Sequence, residues 1–420
     1  MRVYSEIRRV ERTRSETVIQ QIIHVLDGVR ANGMSVLRWG LIALSSRDFL
    51  IELALLNVVS PAPPQTWHNA TRNATAIGRL TIAIVVPTGV GAAFGGFVGD
   101  ACPIVKLFEQ VADTVIVHPN VVNGADFYGA SGSSWYLDGL TLDRFLMGEI
   151  GLRRDRALRI GLLVDRLNDC SLDKLINAAN AVRAVYGVDV VGFSVCKEKL
   201  RSVVEQTPYG HFNGSIENPD VLLDAADVLK NASAEAIAVV SSLEGTNREQ
   251  FTAHYQGAGV NPIGAVESLI SRLVTFHTQL PCAHAPAELE KASGSHGVID
   301  PRAAAEAASA TGLPCVMIGL ARSPTIDCDS GISIHDMTAV LVPEGCAGGV
   351  PAMAALHHGF ALLGIRGNQC AVGASLAMLE IPTAICLDSY AEAAAWLLAR
   401  RAGISWESIS RPLSTVRQIR

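Results

Sequence analysis

The sequence predicts an α/β fold: a mostly parallel sheet flanked by helices, with either one or two α/β halves, preceded by a small α+β cap. Three observations lead there. From Thr81 onward, apolar β-branched runs alternate with amphipathic helical segments, the rhythm of a parallel sheet with crossover helices. The runs are continuously apolar, as strands buried on both faces are. The chain of 420 residues is 49% hydrophobic with a mean hydropathy of +0.29, supplied by Ala, Val, Leu and Ile. Yet no apolar run approaches the roughly 18 residues of a membrane span. The candidate from Val36 to Val59 is broken by Ser45-Ser46-Arg47-Asp48.

The elements follow in chain order. Arg2 to Val10 alternates as a strand does, and Glu16 to Asn32 places Ile19, Ile22, Ile23, Leu26 and Val29 on one helical face. Val36 to Ala43 and Phe49 to Val58 read as a strand pair, giving a β-α-β-β cap over residues 1–60. Pro61-Ala62-Pro63-Pro64 breaks regular structure, and 61–79 reads as a linker to a main domain over 80–420. In that domain Ile82 to Val86 is a strand, Pro103 to Val111 a helix and Thr114 to Val117 a strand. Strands are expected at Arg159 to Val164, Val188 to Val195, Ala236 to Val240, Cys315 to Leu320, Thr338 to Val342 and Ala384 to Leu387. Helices are expected at Leu172 to Val185, Pro219 to Leu229, Pro262 to Phe276, Pro301 to Ala310, Pro351 to His358 and Ala391 to Arg401.

Composition excludes some functions. The net charge is −6, with no Lys/Arg block and 5% aromatics, so nucleic-acid binding has no electrostatic footprint. The first residues (MRVYSEIRRVERTRSE) are polar and lack an apolar stretch, which argues against a secretory signal and points to a cytoplasmic protein. The nine cysteines form no C-x-x-C pair; in that compartment most cysteines are buried small hydrophobes. The apolar surplus fits a buried subunit interface, hence a homo-oligomer, and equally a large core.

The informative stretch is Thr81 to Gly124, a strand–loop–helix–strand unit with small residues at the carboxyl end of its first strand. Ligands bind at that end in open α/β sheets. Gly89, Gly91 and Gly95, with Gly96 beside them, follow a G-x-G-x-x-x-G spacing, and Thr88 adds a hydroxyl. Such a loop either cradles a phosphate or carboxylate on its N–H groups or is a tight turn that needs small residues. Asp100 is either a helix cap or a carboxylate of the site, as base or metal ligand. His118, Asn120 and Asn123 end the next strand, where a His serves as acid/base or ligand or simply satisfies the fold. Cys282 and His284 are two apart and share a face of an extended segment. They form a metal-binding or nucleophile–base pair, or else a structural Cys with a capping His.

A second glycine turn, Glu344 to Gly349, places Glu344 as a candidate acid/base and Gly348-Gly349 as an anion cradle. Arg366 is a candidate for a substrate carboxylate, or a surface residue. Asp100, His118 and His284 together make a mixed N/O set compatible with zinc, iron or manganese. The nicotinamide reading is weaker, because the strand that wants a ribose-binding acid ends in His118-Pro119-Asn120. No G-K-[ST] follows the glycines, which argues against an ATP loop.

Several of these motifs recur together elsewhere. VPTGVGAAFGGFVGDA, HPNVVNGA, PCAHAPA, and DPRAAAEA with LPCVMIGLARSP resemble an uncharacterised family of cyanobacteria, other bacteria and plants, known only as domain of unknown function three-three-two-six. The resemblance spans about Leu80 to Ile404 and implies no activity. It does imply that Gly89, Gly91, Gly96, Asp100, His118, Asn120, Asn123, His284, Gly348 and Gly349 occupy shared motifs. Glu344-Gly345-Cys346-Ala347 and Ile365-Arg366-Gly367-Asn368-Gln369 depart from the pattern, which puts the substrate at those positions in doubt.

The expectation is therefore an enzyme of lyase or hydrolase type acting on a small anionic metabolite, with His118, His284, Asp100, Glu344 and Cys282 as its chemical residues. A divalent metal is left open. The alternatives are a non-catalytic ligand sensor or scaffold, and an NAD(P)-dependent oxidoreductase. No nucleic-acid or membrane partner is expected.

Overall fold

The computed structural model describes residues 1–57, 79–97, 99–122, 133–287, 297–308, 312–327, 331–413, 415, 416 and 418. The expected Pro61–Pro64 break, Asn123 and most of the 61–79 segment lie outside the described residues. The fold is α/β, with two parallel sheets flanked by helices and an antiparallel sheet at the N-terminal side.

The antiparallel sheet has the order β10 (Ser202–Gln206), β11 (Phe212–Ile216), β1 (Arg2–Glu11), β3 (Asp48–Asn57), β2 (Met34–Leu44). Its first four chain elements are the β-α-β-β unit expected from the sequence, with the helix Val18–Ala31 after β1. Thr17 caps that helix in a reciprocal box with Gln20, which satisfies two orphan donors at its start. Strands from residues 202–216 complete the sheet: β11 pairs with β1 at Val3 and Tyr4.

The six-stranded parallel sheet runs β17 (Ala384–Leu387), β16 (Ala361–Ile365), β15 (Met337–Pro343), β4 (Thr81–Ile84), β5 (Thr114–Val117), β6 (Ser134–Tyr136). The four-stranded parallel sheet runs β13 (Cys282–Pro286), β12 (Ala236–Ser241), β8 (Ile160–Val164), β9 (Val190–Val195). A two-stranded ribbon, β7 (Leu152–Arg153) with β14 (Thr325–Ile326), is separate.

Alternate residues of each strand divide between two cores, as a pleated strand requires. Ile82, Ile84 and Val117 share one core with Leu162, Ala238 and Val240 of the smaller parallel sheet. Ala83, Val85 and Ile116 on the opposite face share another with Ile51, Leu53 and Leu55 of β3. Leu163, Ile237, Val239 and Cys282 face a third, built with Leu269, Ile270 and Leu273 of the helix Gly264–Thr278.

Two expected elements have a different form. Cys315 to Leu320, expected as a strand, lies in the helix Gly312–Ala321. The helix is wedged in the core common to the two parallel sheets, so it is apolar on every side and shows no amphipathic period. Gly319 makes the close approach there: a Cβ would lie 2.7 Å from the Tyr136 ring. The helix expected at Pro301 to Ala310 is a 3₁₀ turn, Pro301–Ala303, running into a short helix, Ala304–Ala308.

Candidate active site

The helix Gly264–Thr278 packs between the smaller parallel sheet and the antiparallel sheet. Its first turn meets the glycine loop that follows β4: a Cβ on Gly264 would stand 2.7 Å from the Thr88 methyl, and one on Gly89 (φ +82°) 3.3 Å from Ala265. Further along, Arg272 bonds Asp143 Oδ2 at 2.6 Å and the Leu37 carbonyl at 3.0 Å. Thr275 donates to Asp138 at 3.2 Å. One turn beyond Gly264, Glu267 reaches toward the smaller sheet.

There it completes a buried relay. β12 and β13 run parallel with Val239 opposite His284 and Ser241 opposite Pro286. Ser241 and His284 have the parity of Ile237, Val239 and Cys282, so both point at the helix. Ser241 Oγ is 2.8 Å from His284 Nε2, and His284 Nδ1 is 3.0 Å from Glu267 Oε1. With the proton on Nδ1, the serine hydroxyl donates to Nε2 and the ring donates to the carboxylate. Hydroxyl, imidazole and carboxylate stand in the order and at the distances of a catalytic triad. Ser241 is the last residue of a parallel strand, the end at which α/β proteins place their chemistry. It has no exposed surface. Among the described residues the amide after it, Ser242 N–H, makes a single long contact, 3.4 Å to Asp165 Oδ2.

Of the residues singled out from the sequence, only His284 belongs to this relay. Cys282 shares its strand face, but burial, and then the charge of Asp138, hold its thiol well above the ordinary range, so it stays protonated. His118 Nε2 accepts the Val86 N–H at 3.0 Å, and Asn120 Nδ2 donates to the Val86 carbonyl at 2.8 Å. Together they grip the backbone that ends β4 and launch the glycine loop. Burial first, and the Arg272 charge second, push His118 down to about 3, so the ring is neutral and remains an acceptor.

Four N–H groups of the first glycine loop, those of Ala93, Phe94, Gly95 and Phe97, are bonded within the chain. Asp100 Oδ1 accepts from Gly95 at 2.8 Å and Phe97 at 3.2 Å, Asn368 Oδ1 from Phe94 at 2.8 Å, and Gln369 O from Ala93 at 2.8 Å. Of the residues expected to hold an anion, Thr88, Gly89, Gly91, Gly95 and Gly96, the loop's own carboxylate takes the amide of Gly95. Burial pushes Asp100 up to about 7 against those N–H bonds and the charge of Arg302. The Arg302 guanidinium stacks 4.6 Å from the Phe97 ring centroid, and Phe97 stacks in turn on His254 at 4.6 Å.

In the second glycine turn three N–H groups are bonded within the chain. Glu344 N–H donates to Ile365 O, Cys346 N–H to Pro343 O and Ala347 N–H to Ala374 O. Gly348 and Gly349 line a small apolar crevice with Ile19, Ile22 and Trp39. Arg366 is paired with Asp388 at the surface. Asn123 lies outside the described residues. Asp100, His118 and His284 are each committed to different partners, and among the described residues no group of three or more His, Cys, Asp or Glu side chains is placed to hold a metal ion.

The two residues missed, Ser241 and Glu267, were findable in part. Ser241 directly follows the apolar run Ala236 to Val240, the same strand-end position that drew attention to His118. Glu267 gives no such signal, because it meets His284 only through the packing of a helix on a strand.

Comparison with other proteins gives the chain a family. A family model described as Protein of unknown function (DUF3326) matches residues 81–410. The chain belongs to this family. The DUF3326 region takes in both parallel sheets, the glycine loops and all three relay residues, and begins where β4 begins. An uncharacterized lipoprotein of Synechococcus sp. is 35% identical over 342 residues, covering 80% of this chain and 94% of the relative. No solved structure gives a significant match. The relative's name contradicts the cytoplasmic location expected from the polar N-terminal residues, and that expectation is withdrawn. A lipid anchor is covalent and needs no spanning helix. Among the described residues no helix is long and apolar enough to cross a membrane.

Proposed function

We propose that the protein is an acyl hydrolase or acyl transferase with Ser241 as nucleophile, His284 as general base and acid, and Glu267 as the carboxylate that orients the imidazole. The observation behind this reading is the continuous Ser241–His284–Glu267 chain at 2.8 and 3.0 Å on one strand end. Of the reaction types expected from the sequence, it favours hydrolysis over elimination.

In this reading Ser241 Oγ attacks the carbonyl carbon of an ester, thioester or amide while its proton passes to His284 Nε2. Glu267 holds the Nδ1–H and stabilises the imidazolium that forms. The leaving group departs with the Nε2 proton, and water, activated by the same nitrogen, releases the acyl group. The Ser242 N–H follows the nucleophile, the position from which α/β hydrolases donate to the oxyanion. Its contact to Asp165 is long enough to be exchanged for a stronger one. Because Ser241 is fully buried, substrate entry requires the β12 and β13 ends to open. Once closed, the same burial strengthens the electrostatics of the relay. His118 and Asn120 act as positioning residues for the loop above the helix.

The test is turnover of a series of short-chain aryl esters and thioesters by the wild type, Ser241→Ala and His284→Ala. Hydrolysis lost in both variants, with melting behaviour retained, supports the reading. Equal rates in all three proteins would remove it.

A further inference from the structure

The two glycine turns at the ends of β4 and β15 are joined by one segment, residues 368–374. Asn368 bonds both the N–H and the carbonyl of Phe94, at 2.8 and 3.0 Å, and the Tyr390 hydroxyl at 2.7 Å. Gln369 accepts from Ala93, and Ala371 donates to Val90, both at 2.8 Å. Gly373 donates to Ile42 of β2 at 2.7 Å, and Ala374 to Gly345 at 2.8 Å. In the middle of this segment the Cys370 sulfur lies 3.2 Å from that of Cys346 in the second turn. Both are free thiols. Gly345 makes the approach close: a Cβ there would stand 2.8 Å from the Cys370 sulfur.

We propose that Cys346 and Cys370 are a dithiol modification site that closes to a disulfide, stapling the second glycine turn to the segment that holds the first. Three features fit. The sulfurs are already closer than two non-bonded sulfurs ordinarily approach. The pair is asymmetric in access, with Cys346 buried and Cys370 half-buried. The thiols are also asymmetric in acidity. The hydrogen bond between them lowers Cys370, while that bond and burial hold Cys346 well above its ordinary value. The neighbouring Glu344 charge opposes ionisation of both.

The accessible, more acidic thiol attacks first, as thiolate reactivity requires. Cys370 S⁻ attacks one sulfur of a low-molecular-weight disulfide, and the other sulfur leaves as a thiolate. Cys346 then gives up its proton and its sulfur attacks the Cys370 sulfur of the mixed disulfide, expelling the second small thiol. Two protein thiols are oxidised, and one external disulfide is reduced to two thiols.

The full chain would be equilibrated in reduced/oxidised glutathione buffers of graded ratio, alkylated, digested and mapped by mass spectrometry. The expected result is a Cys346–Cys370 cross-linked peptide that replaces both alkylated peptides as the buffer becomes oxidising and is reversed by dithiothreitol. Oxidation should raise the thermal midpoint of the wild type and leave that of Cys370→Ser unchanged. Two outcomes would overturn the proposal: both thiols staying alkylatable in excess oxidised glutathione, or a glutathione adduct accumulating on Cys370 that Cys346 never displaces. The mapping needs only wild-type protein, so it decides the matter even if a cysteine variant misfolds.

Discussion

Among the described residues stand two buried hydroxyl–histidine–glutamate chains, and their differences are the grounds on which we propose chemistry for one and a structural role for the other. In the smaller parallel sheet, Ser241 faces His284 Nε2 and Glu267 faces Nδ1. In the antiparallel sheet, His211 lies 2.8 Å from Glu52 through Nε2 and 3.0 Å from Thr207 through Nδ1. Glu52 is also bonded by Arg38. Burial alone would raise the Glu52 carboxyl, but Arg38 and His211 outweigh it and hold it below its ordinary value. The Thr207 hydroxyl already accepts the Tyr209 N–H inside a hairpin turn. That chain therefore ends in a turn-forming hydroxyl and a carboxylate neutralised by arginine. The Ser241 chain ends in a strand-terminal hydroxyl whose hydrogen bond is to imidazole, and its carboxylate has no arginine among its described partners. Position and charge balance, more than the three residue types, are what distinguish the relay proposed to be catalytic from the one proposed to be structural.

The largest expected effect separates the two hydroxyls. Ser241→Ala should lower kcat/KM for an activated ester by about 10³-fold or more, whereas Thr207→Ala should leave it within about twofold; parallel assays of the two variants check this. The carboxylates sharpen the contrast. Glu267→Gln keeps the shape but weakens imidazolium stabilisation and should cost roughly 10²-fold or more in kcat. Glu52→Gln should leave kcat alone and lower stability by about 3 kcal/mol, because it leaves Arg38 half-buried without its counter-charge. Equal losses of activity in the two glutamine variants would erase the distinction.

Smaller effects concern the loop above the helix. His118→Ala strands the Val86 N–H and empties a buried site, with an expected cost of about 2 kcal/mol and little change in pH-independent kcat; denaturant unfolding reads it. The His118 ring is depressed to about 3. As pH falls below the unfolded value near 6.5, the unfolded chain binds a proton that the folded chain does not. This contribution to stability is lost toward acid. Asp100 acts in the opposite sense. Its carboxyl is raised to about 7, so between about pH 4, where it titrates when unfolded, and about pH 7 the folded chain retains a proton the unfolded chain has released, and stability falls as pH rises. Asp100→Asn keeps an acceptor for Gly95 and Phe97 and should remove that slope. Relative to the wild type, it should gain at most about 3 kcal/mol between about pH 5 and pH 8, measured by unfolding at each pH.

Much of the architecture was legible because it follows from local pattern. Apolar β-branched runs marked β4, β8, β12, β15 and β17, and the face of Ile19, Ile22, Ile23, Leu26 and Val29 announced the first helix. Elements that follow from burial alone were not legible. Val316, Met317 and Leu320 belong to a helix that is apolar all round because both parallel sheets close on it, and β10 and β11 are short strands around a Thr-Pro-Tyr-Gly turn. At the site, His284 could be picked out because it sits on an extended segment between Ala283 and Ala285. Its partners could not be paired with it, since Ser241 is 43 residues away and meets it through the β12–β13 register. The glycine loops were recognised as small-residue strand ends, but which acceptor fills them depends on Asp100 folding back on Gly95 and on Asn368 arriving from 274 residues away.

The most direct measurement is labelling by a fluorophosphonate, which phosphonylates only a serine activated by a neighbouring base. The full-length protein, Ser241→Ala and Thr207→Ala would each be treated and analysed by intact-mass and peptide mapping. The account predicts a single adduct on Ser241 in the wild type and in Thr207→Ala, and none in Ser241→Ala. Folded wild-type protein that remains unlabelled, or an adduct on any other residue, would contradict it.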